Sequence, residues 1–143
     1  MDRRPLQIVV LSGGPSAERE VSLRSGAAVA RALRGLGHRV AEVDPVPGRL
    51  ELPAGVEVVF LALHGTYGED GTVQAALEGL GIPYTGCGVE ASRVAFDKVA
   101  TKERCLAAGV PTARFRVLEE ASTPWPDDWR PPVVLKPVCQ GSS

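Results

Sequence analysis

The first apolar stretch, Gln7–Leu11 (QIVVL), is short and rich in β-branched residues, and it stops at Ser12-Gly13-Gly14-Pro15. This is the pattern of a buried strand running into a tight turn. From about Ala17 to Leu36 the period changes. Val21, Ala28, Ala32 and Leu36, with Val29 and Leu33 beside them, recur at steps of three and four and predict an amphipathic helix. Gly35 and Gly37 end it. His38–Val43 is a second strand, closed by Pro45 and Pro47, and Val56–Leu63 (VEVVFLAL) is the strongest strand signal in the chain. His64-Gly65 follows it, then a second helix over roughly Gly71–Leu80 and a fourth short strand at Ile82–Thr85.

Strands alternating with helices imply βαβ crossovers, hence a parallel sheet covered on both faces. Two glycine-rich polar loops, Ser12–Ser16 and His64–Gly71, each follow a strand and precede a helix. In such sheets ligands sit in the crevice at the carboxyl ends of the strands, beside helix N-termini, so the two loops are expected to converge on one edge.

The regime changes near Val94. Asp97 is the expected N-cap of a helix Lys98–Ala108, stopped by Gly109 and Pro111. A strand is expected at Ala113–Leu118 and another at Val133–Lys136. Between them lies Ser122–Pro132, a loop that holds four prolines and both tryptophans. The chain stops at Gln140-Gly141-Ser142-Ser143, a turn directly after a strand, which points to strand partners and covering residues outside this sequence.

Composition narrows the possibilities. The 143 residues suffice for one ordinary domain or for one domain and part of a second. Sixteen Lys and Arg against 17 Asp and Glu leave a net charge of -1, with no basic stripe for a nucleic acid. No run of 18 apolar residues exists, so no membrane span is expected. The apolar run after MDRRPL is too short for the core of a signal peptide, so the cytoplasm is the expected compartment. Cys87, Cys105 and Cys139 are widely spaced and lack a CxxC pair; with only His38 and His64 to help, they read as buried or incidental thiols, and no metal site is expected in this chain.

Several residues are suited to chemistry, and each also has a plain structural reading. Gly13-Gly14-Pro15-Ser16 fits neither GxGxxG nor GxxxxGK[ST], and Pro15 removes an N–H that a phosphate cradle would use. Glu18 is either a first-turn acid, worth about 0.3–1 kcal/mol against the helix dipole, or a carboxylate placed in the crevice to select an amine. His64 either donates to a substrate carboxylate or satisfies backbone groups. Asp70 reads as an N-cap and Glu69 as a first-turn acid. Lys98 stands at a helix N-terminus, where the dipole disfavours a cation unless an anion is near. Lys136 ends an apolar strand (VVLK), and either reaches into a cleft or snorkels to solvent. Gly141-Ser142-Ser143 offers N–H groups and hydroxyls to a phosphate or carboxylate.

In this order, LSGGPSAEREVSLRSG (11–26), ALHGTYGEDGTVQAALEGLGIPYTGCG (62–88), FDKVATKE (96–103) and VVLKPVCQGSS (133–143) resemble the D-alanine–D-alanine ligase family of the ATP-grasp superfamily. The resemblance implies an α/β fold. A Rossmann-like (preATP-grasp) parallel sheet with helices on both faces would span residues 1–93, and the start of an α+β ATP-grasp domain residues 94–143. It also implies a reaction in which ATP phosphorylates the carboxylate of one D-alanine and the amine of a second attacks the acyl phosphate. The product dipeptide serves peptidoglycan.

On that resemblance Glu18 holds the first D-alanine's ammonium, and His64 lines the same subsite near its carboxylate. Lys98 and Lys136 neutralise ATP phosphates. Ser142 links the glycine-rich loop to the N-terminal glutamate and closes over the site, and Ser143 lies beside the phosphates. Gln140 departs from relatives that carry an acidic residue there. Ligands for Mg²⁺, a mobile tyrosine loop and an arginine for the intermediate are expected in a second half of the family's length. The chain is accordingly expected to be an N-terminal fragment, inactive alone, with a homodimer through the N-terminal domain implied by resemblance only. Two other readings stay open: a non-catalytic module binding an amino acid or nucleotide, and a ligase that takes D-lactate second.

Overall fold

The computed structural model describes residues 4–120 and 122–140. Ser142 and Ser143 lie outside the described residues. The elements run β1 (Gln7–Leu11), α1 (Arg19–Gly35), β2 (Arg39–Val43), β3 (Val58–Leu61), α2 (Thr72–Gly79), α3 (Val89–Phe96) and α4 (Lys98–Ala107). The three strands form one parallel sheet in the order β2-β1-β3, with Val9 opposite Ala41 on one side and Val59 on the other. The α/β class is as the strand and helix periods predict.

The central strand is buried on both faces, which explains its unbroken apolar run. Val10 packs with Ala30 and Ala62 beneath α1, and Val29, Leu33, Val40 and Phe60 flank them. Val9 and Leu11 point the opposite way, into a cluster with Val59, Leu63, Tyr67, Val73 and Leu77 that α2 covers. Alternation along one five-residue strand thus assigns each helix its own side of the sheet.

α1 lies close on the sheet because Gly26 faces it. A Cβ there would overlap the Cβ and Oγ of Ser12, at the end of β1. The close approach sets how near α1 comes to the loop leaving β1.

β3 is shorter than the predicted Val56–Leu63, although Glu57 N–H and Ala62 N–H still donate to Gln7 and Leu11 carbonyls, each at 2.9 Å. The fourth strand, Ile82–Thr85, is reduced to a single parallel bridge between Val59 and Tyr84. Val59 N–H donates to Pro83 O at 2.8 Å and Thr85 N–H to Val59 O at 3.0 Å. Pro83 has no N–H to extend the ladder, and Gly81 (φ 67°) and Gly86 (φ 102°) turn the chain away on either side.

α3 was not expected, and it spans the predicted change of regime at Val94. It buries only Ser92 and follows Gly88 without a side-chain cap, so its eight residues carry little periodic or capping signal. α4 matches its prediction to within a residue: the Asp97 carboxylate accepts from Val99 N–H (2.8 Å) and Ala100 N–H (2.9 Å).

The strands predicted at Ala113–Leu118 and Val133–Lys136 do not form. A strand exists only within a ladder, and neither segment pairs with a partner among the described residues. Val134 and Leu135 are correspondingly 77% and 72% exposed, and α4 buries no residue.

Cys87 and Cys139 are exposed and Cys105 half-buried, so burial does not explain these thiols. No helix of the described residues is long and apolar enough to cross a membrane.

Gly26→Ala should cost about 1–3 kcal/mol, the range for overpacking a tight contact, despite alanine's better helix propensity. Urea unfolding of the two proteins measures it; an unchanged midpoint would show that α1 can lift away from Ser12 without loss.

Candidate functional site

Because β1 has β2 on one side and β3 on the other, the chain reverses direction across the sheet at β1. The loops leaving β1 and β3 therefore border the crevice where ligands of such sheets bind. These are the two glycine-rich loops of the sequence, and three serines fasten them together.

Ser22, fully buried one turn into α1, accepts from Gly13 N–H at 2.8 Å and donates to Ala62 O at 2.7 Å. Its hydroxyl joins the end of β1 to the end of β3 through a side chain deep in the core. Nearer the surface, Ser16 Oγ donates to His64 O at 2.7 Å and accepts from Glu18 N–H at 3.1 Å. Ser25 Oγ lies 3.3 Å from His64 Nε2. Each serine stands where a helix or turn residue from the first loop meets backbone or ring atoms of the second.

Glu18 occupies the N-cap position of α1 but makes no side-chain cap bond, and the first-turn acid is Glu20. The carboxylate is turned instead toward the second loop: a Cβ on Gly65 would stand 2.8 Å from Glu18 Oε2 and 3.2 Å from Ser16 Oγ. Gly65 also has φ 68°, so space and backbone conformation both demand glycine there. Glu18 and His64, 46 residues apart in sequence, are thus brought to one place, both half-buried.

The second loop is stiffened from within. Asp70 Oδ2 accepts from Tyr67 N–H (2.8 Å) and Oδ1 from Thr72 N–H (2.9 Å). The N-cap position belongs to Gly71 (φ 87°) and not, as predicted, to Asp70, which stands one residue before it and accepts from the first N–H of α2. Tyr67 holds a left-handed φ of 74° while 5% exposed, a conformation that its hydrogen bond to Asp70 and its seat in the core sustain. Glu69 precedes α2 rather than lying in its first turn; its carboxylate is 3.7 Å from His64 Nδ1. The buried amide of Gln74 donates to Gly68 O at 2.8 Å.

The first loop is braced by Asp44, past the end of β2. Its carboxylate accepts from Gly14 N–H at 2.8 Å and pairs with Arg19 at 2.6 Å. The hydrogen bond from Arg19 is the largest cause that holds the Asp44 carboxyl below its ordinary value. At Asp70 burial works upward, but the N–H donors of Tyr67 and Thr72 outweigh it and lower the carboxyl.

Lys98 belongs to a different neighbourhood. Its Nζ donates to Gln140 O at 2.8 Å and approaches Val138 O at 3.4 Å, while its own N–H donates to Val138 O at 3.1 Å. The segment that carries Lys136, which is exposed, is thereby fastened to the start of α4. No hydrogen bond among the described residues joins these lysines to Glu18 or His64.

A match to the family described as "D-ala D-ala ligase N-terminus" covers residues 37–87, from β2 through the second loop and α2. A D-alanine–D-alanine ligase of Azoarcus sp. is 49% identical over 147 residues, taking in 100% of this chain and 48% of that protein. Over its whole length the chain is thus similar to the N-terminal part of D-alanine–D-alanine ligases.

Solved ligases share the fold. D-alanyl-alanine synthetase A of Vibrio cholerae superposes with a TM-score of 0.74 at 28% identity, over 83% of this chain and 42% of that one. A D-alanine–D-alanine ligase of Bacillus anthracis, solved in complex with ATP, gives 0.74 at 31%, over 86% and 43%. The chain therefore spans about half the length of the curated relatives it matches.

Sequence reasoning picked out Glu18 and His64 but passed over the serines and Gly65. One signal was available: Ser22 falls in phase with Gly26, Val29 and Ala30 on the buried stripe of α1, and a polar residue at a core phase calls for a buried partner.

Ser22→Ala should destabilise the fold by about 1–3 kcal/mol, since it strands a buried N–H and a buried carbonyl at once; chemical denaturation measures it, and a loss below about 0.5 kcal/mol would show that the loops need no such tie.

A carboxyl lowered by folding adds stability that is present above its unfolded-state value and lost as pH falls through the folded one. Stability should thus hold steady above about pH 5 and decline below about pH 4. The double variant Asp44→Asn/Asp70→Asn should flatten that decline in a pH series of melting temperatures; an unaltered profile would assign the acid sensitivity to other carboxylates.

Proposed function

We propose that this chain supplies the first amino-acid subsite and part of the nucleotide site of an ATP-dependent D-alanine–D-alanine ligase. The observation that carries the reading is the convergence of Glu18 and His64 at the switch point, held by Ser16, Ser22 and Gly65. A carboxylate and an imidazole brought to the same pair of loops present complementary groups to the ammonium and carboxylate of one small amino acid. In the ligase reading ATP phosphorylates that carboxylate, and the amine of a second D-alanine displaces phosphate to give the dipeptide for peptidoglycan. The protein's share is mainly to position reactants and stabilise charge.

Residues 1–93 then form the substrate-binding domain and residues 94–143 the beginning of the ATP-grasp domain, although the division at 93/94 falls within α3. Lys98 and Lys136 serve the ATP phosphates in this reading. Their attachment to one another through residues 138–140 supports a shared role, because it keeps two cations on adjoining segments. Ser142 and Ser143 complete the glycine-serine loop in the same reading, Ser142 closing toward Glu18. The ATP-bound relative from Bacillus anthracis, matched over 86% of this chain, agrees with a nucleotide as substrate.

Mg²⁺ is part of the proposed chemistry, but the described residues contain no group of three His, Cys, Asp or Glu side chains able to hold a metal ion. In this reading the ligands for the ion are supplied by the C-terminal half of the family's length. A cytoplasmic location, no membrane or nucleic-acid partner, and a homodimer through the N-terminal domain complete the proposal.

Joined in frame to the C-terminal half of the Azoarcus relative, the chain should release ADP when given D-alanine, ATP and Mg²⁺, and the 143 residues alone should not. In that joined enzyme Glu18→Gln should raise KM for the first D-alanine by about tenfold or more, as loss of a charge-assisted contact worth roughly 1.5–3 kcal/mol implies. Turnover by the 143 residues alone would overturn the division of labour. Unchanged kinetics of the variant would remove Glu18 from the amine subsite.

A further inference from the structure

His64 has a polar side-chain neighbour at each ring nitrogen. Nε2 lies 3.3 Å from Ser25 Oγ on α1, and Nδ1 lies 3.7 Å from Glu69 Oε1 on its own loop. The two partners differ in kind. A carboxylate only accepts, so it favours a proton on Nδ1, whereas a hydroxyl donates to a bare Nε2 or accepts from a protonated one. The ring's backbone is anchored as well, through Ser16 Oγ to His64 O at 2.7 Å. Glu69 is itself placed by its N–H donating to Gly65 O at 2.9 Å, and Asp70 next to it ties down the turn.

We propose that Glu69 and Ser25 are positioning residues that orient the His64 imidazole in the amino-acid subsite, Glu69 keeping the proton on Nδ1 and Ser25 occupying Nε2 until a substrate carboxylate takes its place. The inference rests on the ligase reading for its substrate but not for its ring geometry. A carboxylate needs an N–H to bind. With Nδ1–H directed to Glu69, the nitrogen left for the substrate is Nε2, which takes its proton from solvent as the carboxylate arrives. Ser25 suits that exchange, because its hydroxyl can pair with Nε2 whether or not the proton is there. Glu69 stands at Nδ1, and the carboxylate of Glu18 lies against Gly65, the residue after His64.

The chain contains its own control. His38, the second histidine of the sequence, accepts from Leu6 N–H through Nδ1 at 3.2 Å, so when neutral it carries its proton on Nε2. The two histidines should therefore be opposite tautomers at a pH where both rings are neutral.

Long-range ¹⁵N–¹H spectra of the 143-residue chain, labelled at histidine, distinguish the two forms by which nitrogen is pyrrole-like. The expected result is one Nδ1–H ring, assigned to His64 through its loss in His64→Gln, and one Nε2–H ring, assigned to His38. Glu69→Ala should return His64 to a mixture dominated by Nε2–H and leave His38 as it was; Glu69→Asp should retain the wild-type form in part. Two Nε2–H rings in the wild-type chain, or a Glu69→Ala spectrum identical to wild type, would overturn the proposal.

In the joined enzyme Glu69→Ala and Ser25→Ala should each raise KM for D-alanine severalfold and change kcat less. An effect confined to kcat would contradict an orienting role at the binding step. Because the spectra need no turnover, a joined enzyme that releases no ADP defeats the ligase reading without touching the tautomer result.

Discussion

The hydroxyl of Ser22 ties the end of β1 to the end of β3, and the crevice owes its shape to that tie. Gly13 N–H and Ala62 C=O both leave the sheet with no ladder partner, both are buried, and one side chain from α1 satisfies the two together. Backbone groups in that condition would otherwise cost about as much as several ordinary hydrogen bonds contribute. Ser22 can reach them only because α1 lies close to the sheet, and α1 lies close because Gly26 has no Cβ to set against Ser12. A glycine and a serine four residues apart on one helix thus determine the separation of two loops that are fifty residues apart in sequence.

That separation explains the rest of the site. Glu18 is free of capping duty, so its carboxylate can turn across the gap toward Gly65. Gly65 accepts the approach because it lacks a side chain and holds a left-handed φ. Asp44 and Asp70 then brace the two loops from outside, each with N–H donors or a guanidinium that keep its carboxyl ionised below the usual range. A small charged ligand entering such a crevice would meet groups already held in place, so little ordering would accompany binding.

The second part of the chain has a different character. α4 is well capped and correctly anticipated, yet it buries nothing, and the segments after it form no ladder among the described residues. Lys98 is held by carbonyls of residues 138 and 140 and gathers this region into one neighbourhood. The apolar side chains of Val134 and Leu135 are left in solvent, since this segment pairs with no strand among the described residues.

The sequence alone determined the class of the fold, the three strands and the two principal helices, because each has a strong apolar period and glycine or proline limits. It also singled out Glu18 and His64, each with a plain structural reading beside the site role that the family resemblance implies. α3 escaped it, having one buried residue and no cap, and the strands at 113–118 and 133–136 were overcalled because β propensity says nothing about the availability of a partner. Only the tertiary structure decided that Glu18 reaches Gly65, that Ser22 joins two strands, and that Glu69 and Ser25 bracket one imidazole. Those are distances between side chains remote in sequence, and they exist only once α1 has packed onto the sheet.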